Sequence, residues 1–131
     1  MHLKIPELNL VLAWGGILLG FLSGLWLGVN FHRPDWLGGY ASHQRRLYRL
    51  GHISLFGLGA TNLLFYFTAL KLPVTSVVVG TAACGFIVGA ITMPLCCVLM
   101  AHNPKLRHLF AVPVVSLILA GTLTLWGVIK L

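Results

Sequence analysis

At 131 residues, 58% hydrophobic and 8% charged, with a mean hydropathy of +0.93, the chain is too apolar for a water-soluble domain of its size. Its formal charge of +7 comes from nine Lys and Arg against two acids, a balance that suits membrane topogenesis and gives no reason to invoke nucleic acid. Spans of about 20 residues each take up most of such a chain. The expectation is therefore a single all-α integral membrane domain over residues 1–131, a four-transmembrane-helix bundle.

The first expected span, 8–31, is longer than a signal-peptide apolar region and ends in no small-residue cleavage site, so it reads as retained. Within it Gly16, Gly20, Gly24 and Gly28 recur at every fourth position and stack on one helix face, a groove for close helix contact. That face suits two uses: packing inside the bundle, or docking another membrane subunit or a second copy of the chain. A polar loop follows with His32, Arg33, Pro34, Asp35 and the Gly38-Gly39 pair, and Ser42 is placed to cap the next helix.

The second helix opens with His43-Gln44-Arg45-Arg46-Leu47-Tyr48-Arg49, turns suited to lipid headgroups, and its span is expected over 48–70. After the Lys71-Leu72-Pro73 turn a third span, 74–101, contains Pro94, which removes a backbone donor. A loop with His102, Lys105, Arg107 and His108 leads to a fourth span, 109–129. Trp14, Trp26 and Trp126 lie near span ends, where tryptophan anchors a helix at the interface. Arg33, Arg45, Arg46, Arg49, Lys105 and Arg107 lie by the first and third connections, whereas Lys4, Lys71 and Lys130 lie on the other side. This asymmetry predicts both termini on the non-cytoplasmic side of a cytoplasmic (inner) membrane or its equivalent.

Several chemistries lack residues. No acid lies within a span, which disfavours proton- or sodium-coupled transport. No Ser-His-Asp set, carboxylate pair, phosphate-binding loop or zinc spacing is present. Cys84, Cys96 and Cys97 share one apolar run, where a disulfide framework has no use. Asn62, with Thr61 and Thr68, is accounted for by interhelical hydrogen bonding.

The histidines are more informative, because all except His2 map to one membrane side. His52 begins the unbroken apolar part of the second helix, where an ionisable side chain needs a partner or a ligand. Gly59 falls on the same face two turns deeper and leaves room for a flat ring. Two imidazoles on facing helices, His52 with His108 or His102, would clamp a b-type heme, and Arg45, Arg46 and Arg49 would pair with its propionates. The plain alternative is a histidine hydrogen-bonded to a neighbouring helix. The stretch Leu50-Gly51-His52-Ile53-Ser54-Leu55-Phe56-Gly57-Leu58-Gly59 resembles the His-bearing helix of small membrane proteins related to the heme-binding helices of heme–copper oxidases. Those proteins often carry His-x-His where this chain has Leu50 and His52, and the resemblance implies a heme or electron-transfer role.

A second set, Met93, Cys97 and Met100 with Cys96 at its edge, places soft sulfur on one arc of the third span, a potential Cu(I) site that ordinary packing explains equally. Three functions follow as expectations: an electron-transfer subunit with heme b, a cofactor-free structural or assembly subunit of a larger complex, and a copper-handling protein.

Overall fold

The computed structural model describes residues 5–73 and 75–131; His2 and Lys4 lie outside them. Four helices follow in order, α1 (Ile5–Asn30), α2 (His43–Ala69), α3 (Ser76–His102) and α4 (Ala111–Ile129), with short 3-10 turns at Trp36–Gly38 and Pro104–Phe110. All four are long and apolar enough to cross a membrane, counting the Pro104–Phe110 turn with α4.

The helix ends follow local chemistry. Ser42 caps α2, its hydroxyl oxygen accepting from the Arg45 amide at 3.1 Å, so the basic turns from His43 onward are already helical. Asn103 plays the same part before the Pro104–Phe110 turn, its side-chain oxygen accepting from the Lys105 amide at 3.1 Å. Pro94 lies inside α3, which continues through it; in lipid such a position is tolerated when neighbouring groups satisfy the freed carbonyl.

Consecutive helices pack side by side as antiparallel hairpins, and α1 also reaches α3; α4 has no comparable contact with α1 or α2. The expected bundle is thus a three-helix group with α4 laid along the outer side of α3. Glycines on α3 make that seat. A Cβ added at Gly85 would come within 2.9 Å of both the Ser116 carbonyl and the Ala120 side chain, and one at Gly89 would collide with Leu117. The small core there comprises Phe65, Ala82, Ala83, Phe86 and Ala120.

Between α1 and α2 the approach is also close. A Cβ at Gly16 would lie 3.1 Å from the Leu55 carbonyl and 3.6 Å from the Gly59 Cα, and one at Gly59 would lie 3.0 Å from the Ala13 carbonyl. The contacts are mostly backbone to backbone, with the Ile17 side chain also against Gly59. Further along, Gly20 receives the Phe56 ring and Gly24 the His52 ring, while nothing lies within 4 Å of Gly28. The glycine face is therefore covered by α2 at its first three positions and open at the fourth.

At the opposite end of this seam the Asn9 amide donates to the Asn62 side-chain oxygen at 2.7 Å and to the Ala83 carbonyl at 3.2 Å. Asn62 in turn donates to the Leu58 carbonyl at 2.8 Å and to the Phe86 carbonyl at 3.4 Å. Both residues are fully buried, so one amide pair links α1, α2 and α3. The outer faces carry exposed apolar side chains such as Leu18, Phe21, Leu25, Val115, Ile118 and Leu125, a surface suited to lipid rather than water.

Gly59 and Gly57 provide a paired test on one helix, because nothing lies within 4 Å of a Cβ at Gly57. Gly59→Ala is expected to destabilise the protein by about 1–3 kcal/mol, and Gly57→Ala to leave stability equal or slightly higher, as measured by reversible unfolding in mixed detergent. A double-mutant cycle tests the amide pair. Asn62→Leu alone should cost about 0.6 to 2 kcal/mol, and adding Asn9→Leu should recover part of that loss, because it removes the amide left without its partner.

Candidate functional site

The residues singled out for chemistry gather at the end of the helices that carries the first and third connections, and α1, α2 and the first loop place them. His52 projects from α2 onto α1, half-buried, with its Nδ1 2.9 Å from the Ser23 hydroxyl. The same hydroxyl lies 3.0 Å from the Gly20 carbonyl; when it donates there, its oxygen is the acceptor for Nδ1–H of the ring. The ring lies over Gly24, where an added Cβ would meet Cε1 at 2.9 Å, and the Phe56 ring meets it edge-on at 5.4 Å.

Two turns before His52, Arg45 turns inward. Only 1% of it is exposed. Its guanidinium donates to the Phe31 carbonyl at 2.9 Å and the Arg33 carbonyl at 3.3 Å, groups in the turn just past the C-terminal end of α1. The aromatic rings of Tyr40, Phe31 and Trp36 surround it at 4.0, 5.2 and 5.4 Å. A cation in this position complements the negative end of the α1 dipole and closes that helix in place of a terminal glycine. The loop wraps accordingly: the Tyr40 hydroxyl also donates to the Phe31 carbonyl at 2.9 Å, and Ser42 donates to the Leu37 carbonyl. Leu37 itself adopts φ 53° and ψ 37°, a left-handed conformation costly for a residue with a Cβ, held by these contacts on both sides.

The other two arginines part company. Arg46 donates to the Ala41 carbonyl at 3.1 Å. Arg49 is exposed and borders a cleft of about 250 Å³ with Gly24, Gly28, Phe31, Trp36 and His52. On the α3 side of His52 a cleft of about 150 Å³ is bordered by Tyr48, Leu55 and Pro94. It shares Leu55 and Pro94 with another of about 240 Å³ that reaches Gly16 and Gly59.

The three histidines considered as ligands have separate partners. His102, at the end of α3, meets the Tyr48 hydroxyl through Nε2 at 2.8 Å, and His108 sits 3.1 Å from the Lys105 carbonyl through Nδ1. Neither borders the clefts beside His52. The Cβ side of Gly59, where room for a ring was expected, is filled by Ala13 and Ile17 of α1. Among the sulfur residues, Cys97 is buried against Gly51, and the Cys96 thiol points to the Leu109 carbonyl at 3.5 Å. Among the described residues no three His, Cys, Asp or Glu side chains converge as a metal site.

Asn9, Ser23 and Tyr48 are contributors that sequence reasoning passed over. Asn9 had a visible signal, an amide inside an apolar run, but Ser23 and Tyr48 acquire meaning only once His52 and His102 are placed beside them. Compared with known protein families, characterised proteins and solved structures, the chain matches none.

The Arg45 cage makes a sharp prediction. Arg45→Met should lower stability by about 2 kcal/mol or more through lost charged hydrogen bonds and speed chymotrypsin cleavage after Trp36 and Tyr40 in the first loop, whereas Arg46→Met should change neither. Thermal unfolding and timed proteolysis in detergent measure both.

Proposed function

We propose that this chain is a structural or assembly subunit of a larger membrane complex, working without a cofactor of its own. One observation carries this reading: most polar side chains of the helices already have partners, the Asn9 Oδ1 being a buried exception. Every asparagine and threonine within α1 to α4, together with Ser23, Ser54 and Ser116, is hydrogen-bonded to a neighbouring helix or to its own backbone. Groups used in this way fix helix positions and leave little with which to bind or turn over a substrate. Closely packed glycine seams suit a role in which shape is the product. The basic asymmetry supports an orientation with both termini outside the cytoplasm in an inner or equivalent membrane.

A second reading, a small electron-transfer subunit with one b-type heme, is favoured by a separate observation. Ser23 orients the His52 ring through Nδ1, as a carbonyl or hydroxyl does behind many metal-bound imidazoles, and no hydrogen bond engages Nε2 among the described residues. The clefts sharing Leu55 and Pro94 run from His52 towards Gly59 on the α3 side, beside the Gly59 face that Ala13 and Ile17 fill. His52 would then be the sole axial ligand from this trio of histidines, since His102 and His108 are engaged elsewhere. A copper role for Met93, Cys97 and Met100 gains no such support.

The absorption spectrum of the detergent-purified protein, expressed with heme supplied, separates the two. The structural reading predicts a stable, colourless protein. A Soret band that shifts on dithionite reduction and disappears in His52→Ala would overturn it in favour of heme.

A further inference from the structure

The cleft bordered by Gly24, Gly28, Phe31, Trp36, Arg49 and His52 has features that neither reading uses. Its walls are almost wholly apolar, yet two guanidinium groups border it, Arg45 at its inner side and Arg49 at its exposed edge. Among the described residues no carboxylate pairs with either. The surroundings are just as one-sided: Arg33, Arg46, Lys105 and Arg107 lie in the same two connections, with Asp35 the one acid there. Gly28 leaves the cleft open along α1, with nothing within 4 Å of where its Cβ would be.

An apolar channel beside a helix with an unpaired cation at its mouth matches an amphiphile with an anionic head. We propose that this cleft is a specific site for one anionic phospholipid, its phosphate at Arg49 and one acyl chain lying past Gly28 and Gly24 against Phe31 and Trp36. Charge complementarity selects the head, since a guanidinium binds phosphate through paired, charge-assisted hydrogen bonds. The absent side chain of Gly28 admits the tail. The site differs from a diffuse basic surface in one respect: Arg49 should matter and Arg46 should not, because Arg46 is already bonded to the Ala41 carbonyl.

Native mass spectrometry of the full chain in detergent, titrated with phosphatidylglycerol or with phosphatidylcholine of the same acyl chains, tests this. The expected result is one saturable phosphatidylglycerol adduct, weakened about tenfold by Arg49→Gln, the loss of one charge-assisted interaction. Gly28→Leu, which fills the channel, should remove it, and Arg46→Gln should leave it intact. Glycerophosphate without acyl chains should not compete. Equal binding of the two lipids, equal effects of the two arginine variants, or full competition by glycerophosphate would each overturn the proposal. Since Arg49 is exposed, Arg49→Gln folds independently of the outcome for Gly28→Leu and decides the matter by itself if that variant misfolds.

Discussion

The contact of α1 with α2 at Gly16 and Gly59 is the constraint from which the rest of the arrangement follows. In lipid the apolar faces of helices gain little from leaving one acyl environment for another, so association depends on close packing and on polar bonds between helices. This seam supplies both. Backbone meets backbone at its centre, the Asn9–Asn62 amides close one end, and Ser23 with His52 holds the other. With α2 fixed so near α1, Arg45 comes within reach of the carbonyls just past the end of α1, and the first loop folds round its guanidinium. With Asn62 turned inward, α3 is drawn in through Ala83 and Phe86.

The periodic features of this fold were readable from the sequence, and the pairwise ones were not. Span number, the Ser42 cap and the stacked glycines follow from local patterns of hydropathy and spacing, and the spans agree with α1 to α4 to within a few residues at most ends. The second helix starts earlier than its apolar part because Ser42 nucleates it among charged residues. The inward turn of Arg45 was hidden: three arginines in five residues look alike until the turn after α1 presents carbonyls to one of them. Asn9 was visible as an amide in an apolar run, but its partner on another helix, Asn62, was not. The position of α4 beside α3 alone depends on Gly85 and Gly89, two glycines in a glycine-rich helix with no distinguishing pattern of their own.

Function divides along the same line. Deep in the helices, polar groups serve the fold, and the structural reading rests on that economy of partners. Towards the opposite end, where loops, aromatic rings and cations meet, a few groups retain unused capacity: the Nε2 of His52, the guanidinium of Arg49 and the open side of Gly28. These lie along one border between α1 and α2, so ligand chemistry, whether of a lipid or of a heme, is concentrated there and depends on the same seam for its shape.

The most direct test of that dependence is magic-angle-spinning NMR of the isotope-labelled protein in lipid bilayers, looking for a through-space correlation between the Asn9 side-chain nitrogen and the Asn62 side-chain carbonyl carbon. The account predicts a strong correlation and amide protons protected from exchange with water. Absence of the correlation, with both amides exchanging freely, would contradict it.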